Sequence, residues 1–172
     1  MPGIEFKFLY FLQSLHTPWL DAVMKTVTSL GDHGLIWIVI GIGLLCIKKT
    51  RVIGLCVLLS LAAGYVIGNI FLKNFIARDR PIWLDDSITL LIQNPEDYSF
   101  PSGHTLASFE GAVSIWFYNR KWGALALVLA ALIAFSRMYL FVHFPTDILG
   151  GLVLGTVIAF LVHQAAESKR AV

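Results

Sequence analysis

Five apolar runs separated by short polar breaks dominate the chain: residues 35–47, 52–72, 104–118, 122–141 and 144–162. About twenty apolar residues cross a hydrocarbon core as a helix, so these runs predict spanning helices, the shorter ones borrowing flanking residues. The pattern predicts an all-α integral membrane protein, a bundle of five transmembrane helices, or six if the N-terminus contributes one. Residues 4–30 break the pattern, because Glu5, Lys7, Gln13, His16, Asp21 and Lys25 interleave with apolar positions and Thr17-Pro18 interrupts them. Neither half spans without a charge, which predicts two amphipathic helices lying at the interface. A tilted first span is the alternative. A single domain is expected over residues 1–172, with interfacial helices in 1–30, a helical core in 31–163 and a polar loop in 73–101. Loops of that length inside a compact domain are usually functional or disordered.

Composition agrees with a membrane setting: 57% of the residues are hydrophobic, 14% are charged, and the mean hydropathy is +0.74. Soluble domains are closer to half apolar. A net charge of only +2 speaks against a nucleic-acid partner. Cys46 and Cys56 sit inside apolar runs and read as small buried hydrophobes, not as a disulfide or metal pair. No small-residue cleavage site follows the first apolar segment, so no secretory signal is expected. Where the positive charges fall matters more than their sum. Lys48, Lys49 and Arg51, then Arg120 and Lys121, then Lys169 and Arg170, all fall on one side of a five-span arrangement. The positive-inside bias makes that side cytoplasmic. The 73–101 loop and the 137–147 turn then share the extracytoplasmic face of a multi-pass plasma-membrane protein.

Three polar clusters meet on that face. In residues 136–147, Arg137, His143 and Asp147 stand between two apolar runs. Pro145 suits the first turn of a helix, and a carboxylate four residues after a histidine can reach its ring and set its tautomer. A juxtamembrane arginine and an interfacial histidine are the alternative. In residues 73–81, Lys73 and Arg80 lie seven apart, two helical turns, and Pro81 biases Arg80 out of the helix. Simple snorkelling of these cations is the alternative there. In residues 101–105, Ser102 suits a helix N-cap and Gly103 lets the backbone approach a ligand. The amides of a helix start bind phosphate, and His104 would stand beside it. Taken together, fixed cations, backbone donors, two histidines and a carboxylate are what phosphoryl transfer demands.

These residues carry a resemblance. Lys73…Arg80-Pro81, Pro101-Ser102-Gly103-His104 and Ser136-Arg137…His143…Asp147 match, in order, the Lys-x6-Arg-Pro, Pro-Ser-Gly-His and Ser-Arg-x5-His-x3-Asp motifs of the type-2 phosphatidic acid phosphatase (lipid phosphate phosphatase) superfamily. The resemblance covers roughly residues 31–160. It implies a metal-independent membrane phosphatase without cofactor, in which Lys73, Arg80 and Arg137 hold the phosphate with help from Ser102 and Gly103. By the same resemblance His143 attacks phosphorus to give a phosphohistidine, Asp147 orients it, and His104 protonates the leaving group. Many membrane members have six spans, and the first is expected to be absent or vestigial here. Asp85, Asp86, Glu96 and Asp97 read as surface charge only. The preferred substrate is undecaprenyl diphosphate, with phosphatidic acid or phosphatidylglycerol phosphate as alternatives. A vanadium haloperoxidase would share the anion pocket but is soluble, and a transporter would need ionisable residues in mid-span, which 52–72 and 122–135 lack.

Overall fold

The structure, a computed structural model, describes residues 3–170, so residues 1, 2, 171 and 172 of the single domain expected over 1–172 lie outside the described residues. Every regular element among the described residues is helical: α1 (Ile4–Ser14), α2 (Pro18–Leu30), α3 (Leu35–Cys46), α4 (Arg51–Gly64), α5 (Lys73–Ile76), α6 (Pro81–Leu84), α7 (Gly103–Tyr118), α8 (Arg120–Tyr139) and α9 (Pro145–Arg170). A 3-10 turn, Asp32–Gly34, joins α2 to α3, and a π-helical stretch, Tyr65–Leu72, carries α4 into α5.

Three stretches are long and apolar enough to cross a membrane: Arg51–Leu84, Arg120–Tyr139 and Pro145–Lys169. A fourth exists if α2 and α3, bent by 43° at their junction, form one span. The bend has a local cause, because His33 and Gly34 both take positive φ, 53° and 67°. The expected runs at 35–47 and 104–118 appear as α3, with 12 residues, and α7, with 16. Both are short for a crossing that takes about twenty residues.

α7 lies at the centre, packed along α8 and α9 and against α4. Small residues make this approach possible. A Cβ at Gly155 would stand 2.7 Å from the Leu106 carbonyl oxygen, and one at Gly151 would stand 2.8 Å from that of Ser102. Polar groups face inward: Trp37 donates to Ser108 across 3.0 Å, and Ser60 and Ser114 meet at 3.3 Å. Apolar groups face outward, with Val128 60% and Val153 57% exposed, as a lipid-facing surface requires. Cys56 is buried as expected, whereas Cys46 is exposed because α3 ends on it. The N-terminal helices close one end of the bundle. Leu9 of α1 packs with Phe141 and Phe144, and Met24 of α2 packs with Tyr139, Leu140 and Val142.

A leucine at position 155 would overlap a backbone oxygen that cannot swing away, and overpacking of this kind costs about 1–3 kcal/mol. Gly155→Leu should lower the thermal unfolding midpoint in detergent. Gly43→Leu, where a Cβ meets nothing within 4 Å, should leave the midpoint near that of the wild type.

Candidate active site

Arg80 is turned inward by its neighbours. Helix α5 stops at Ile76, Ala77 takes a left-handed φ of 47°, and Pro81 holds Arg80 extended at φ −79° and ψ 153°. Only 2% exposed, its guanidinium donates from Nε to the Asp97 carbonyl (2.6 Å) and from Nη2 to Asp97 Oδ1 (2.6 Å). Nη1 donates to the Val142 carbonyl (2.8 Å) and to His143 Nε2 (3.1 Å). Lys73, also buried, donates to Asp97 Oδ2. The two cations therefore converge on one carboxylate, but not through a continuous two-turn helix as the spacing suggested.

Asp97 is exposed, as a surface charge would be, its side chain 57% accessible, but it is more than surface charge because it pairs with both buried cations. The loop after α6 returns to the core, where the Ser99 amide donates to the Arg78 carbonyl at 2.8 Å, and this return sets Asp97 between Lys73 and Arg80. Partial burial works to raise the Asp97 pKa, but hydrogen bonds and charge from Lys73 and Arg80 outweigh it and pull the value down to about 2. Nothing in local sequence distinguishes Asp97 from its acidic neighbours.

His143 lies between α8 and α9, 1% exposed, in a turn redirected by Phe141 at φ 59°. An arginine can only donate, so the Arg80 contact makes Nε2 the acceptor and leaves the proton on Nδ1. Nδ1 faces Ser99 Oγ at 3.4 Å and Asp147 Oδ2 at 3.5 Å, while Ser99 Oγ donates to Asp147 Oδ2 at 2.5 Å. The expected pairing of His143 with Asp147 is thus present, with Ser99 as an unexpected bridge. Asp147 also accepts the Phe144 amide (2.8 Å) and Arg78 (2.6 Å), and Arg78 in turn binds Glu5 of α1 at 2.7 Å. Burial first, then the charges of Arg80, Arg137 and Lys73, hold the His143 pKa well below the ordinary histidine value. The ring is neutral at pH 7, with its Nε2 lone pair on the cation side.

Ser102 caps α7, its Oγ accepting from the Thr105 amide (3.4 Å) and hydroxyl (3.0 Å), and its own amide donates to the Asp147 carbonyl (3.2 Å). His104 Nε2 lies 2.9 Å from Asp32 Oδ1 in the 3-10 turn. Arg137, 4% exposed, donates from Nη1 to Thr28 of α2 at 2.6 Å, and its buried Nε has no partner among the described residues. Lys73, Arg80, Gly103, His104, Arg137 and His143 all line one cavity of about 1310 Å³. Ser102 and Asp147, the two remaining expected residues, stand behind that wall as cap and as partner of the His143 assembly. Asp32, Arg78, Ser99 and Thr28 escaped sequence reasoning because each is an ordinary polar residue that acts through a distant partner.

With a folded pKa below the ordinary Asp value of about 4, Asp97 contributes stability that is present above about pH 4. That contribution is lost as the pH falls toward about 2. The thermal midpoint of the wild type in detergent should therefore drop over that acid range, and Asp97→Asn should show a shallower drop.

The sequence profile of the PAP2 superfamily matches residues 53–171. An undecaprenyl-diphosphatase of Sulfolobus acidocaldarius is 38% identical over 143 residues, 83% of this chain and 68% of that protein. Phosphatidylglycerophosphatase B of Bacillus subtilis is 34% identical over 162 residues, 86% of this chain and 76% of that protein. Among solved structures, a transmembrane PAP2-type phosphatidylglycerolphosphate phosphatase from Bacillus subtilis superposes with a TM-score of 0.77 at 33% identity, covering 93% of this chain and 83% of the other. Aquifex aeolicus LpxE superposes with a TM-score of 0.77 at 25% identity, covering 95% and 96%. A matched profile over most of the chain, joined to an all-helical membrane fold with a buried cation–histidine cavity, leads to one conclusion: the chain belongs to the PAP2 superfamily and is a membrane lipid phosphatase.

Proposed function

We propose that the protein removes the terminal phosphate of a membrane lipid phosphate or diphosphate through a phosphohistidine on His143. The contact of Arg80 Nη1 with His143 Nε2 carries this reading, because it sets the reactive nitrogen against the cations that would hold the phosphate. Lys73, Arg80 and Arg137 neutralise the phosphoryl oxygens, with the first amides of α7 at Ser102-Gly103 assisting. In the first step the Nε2 lone pair attacks phosphorus, the P–O bond to the lipid breaks, and His104 delivers a proton to the departing oxygen. Positive charge then develops on the His143 ring, and the Nδ1–H stays held by Ser99 and Asp147. In the second step water attacks phosphorus, its proton passes to His104, and the P–N bond breaks to release phosphate and neutral His143. Asp97 occupies the Lys73–Arg80 pair that the phosphate would use, so substrate entry displaces its carboxylate.

Undecaprenyl diphosphate is supported as substrate class by the Sulfolobus relative. A glycerophospholipid monophosphate is the second reading, supported by the phosphatidylglycerophosphatase of Bacillus subtilis. The positive-inside distribution supports an outward-facing site in the plasma membrane.

His143→Ala should abolish phosphate release from every substrate and remove the acid-labile phosphoenzyme that a rapid quench traps in the wild type. A positioned acid contributes roughly a hundred- to ten-thousand-fold, and only where the leaving oxygen is basic. His104→Ala should accordingly lose far more activity on phosphatidic acid than on p-nitrophenyl phosphate. Equal losses would remove His104 from the acid role. Orientation has its own check: in a background lacking Cys46 and Cys56, an impermeant thiol reagent applied to intact cells should label Asp86→Cys and spare Lys121→Cys.

A further inference from the structure

Glu110 sits in the middle of α7, 1% exposed, and its Oε1 has no hydrogen-bond partner among the described residues. Gly64 on α4 leaves the room it occupies, since a Cβ at position 64 would overlap the Glu110 carboxyl. An ionisable side chain inside a span is costly to keep unless it serves a site. Here it opens onto one, because Glu110 lines the same cavity as Lys73, Arg80, Arg137 and His143. Around it the cavity wall turns apolar, with Leu58, Leu61, Ala62, Leu106 and Ala107. Glu110 follows His104 by six positions, so its Cα lies about 9 Å deeper along the helix.

We propose that Glu110 is a specificity-determining residue that hydrogen-bonds an ester carbonyl of a glycerophospholipid, while the phosphate of that lipid rests on Lys73, Arg80 and Arg137. This rests on the phosphate seat described under the proposed function. In a glycerophospholipid, the glycerol oxygens and acyl carbonyls follow the phosphate at that depth. In a polyprenyl phosphate, unbroken hydrocarbon begins at the first carbon, and nothing in the chain pairs with Glu110. A carboxylic acid has an O–H to give to a carbonyl, and the amide of glutamine has an N–H to put in its place.

The test uses the full-length protein in detergent with EDTA, three monophosphates (diacyl phosphatidic acid, its dialkyl ether analogue and a polyprenyl phosphate) and a polyprenyl diphosphate. Loss of a buried hydrogen bond predicts that Glu110→Leu lowers kcat/KM on the diacyl lipid by about tenfold. On the polyprenyl phosphate and the ether lipid it should change kcat/KM by less than about twofold. Glu110→Gln should keep most of the diacyl activity. The wild type should prefer ester to ether, and Glu110→Leu should erase that preference. Equal losses on the ester and polyprenyl substrates, or a wild type indifferent to ester against ether, would overturn the proposal. The ester–ether comparison needs only the wild type, so it decides even if Glu110→Leu fails to fold. Phosphate release from a polyprenyl diphosphate alone would also overturn the proposal, and release from none of these four lipids would instead overturn the phosphatase reading on which it stands.

Discussion

The structure depends on keeping three basic side chains together out of water. Lys73, Arg80 and Arg137 are 6%, 2% and 4% exposed, and like charges gathered in a low-dielectric site repel unless an anion or a dipole offsets them. The protein supplies those partners internally. Asp97 bridges Lys73 and Arg80, the Val142 and Asp97 carbonyls take further Arg80 donors, and Thr28 takes one from Arg137. Among the described residues, the buried Arg137 Nε remains without a partner. A site arranged in this way is preorganised for an anion: its cations are already desolvated and oriented before a phosphate arrives.

The bundle exists to hold those cations against one histidine. α7 brings Ser102 to His104, the break after α5 brings Arg80, the end of α8 brings Arg137, and the start of α9 brings Asp147. Glycines at 151 and 155 let α9 lie against α7 so closely that the Ser102 amide reaches the Asp147 carbonyl. Helix packing and site geometry are therefore one problem, and a side chain added at those glycines would displace the cap as well as the helix.

The N-terminal helices belong to the same construction. Glu5 of α1 holds Arg78, which holds Asp147, which with Ser99 holds His143. Thr28 of α2 holds Arg137, and Asp32 just beyond α2 meets His104. Residues that the amphipathic pattern assigns to the membrane interface are thus partners of the site, joined to it by hydrogen bonds across more than seventy positions of sequence.

Local chemistry was enough to determine much of this protein. Apolar run lengths dictated helices, because a backbone in hydrocarbon must satisfy its own hydrogen bonds. Pro81, Ser102 and Pro145 dictated where helices begin, because each acts within a turn of itself. The order of the three motifs pointed to the cations and histidines that the fold brings into one cavity. Only the tertiary structure decided which carboxylate faces which cation. Asp85, Asp86, Glu96 and Asp97 are equivalent as a string, and the path of the loop alone selects Asp97. The same holds for Ser99, Arg78, Asp32 and Glu110. Each matters through a partner far away in sequence, and long-range pairing leaves no period, cap or turn in the local pattern to read.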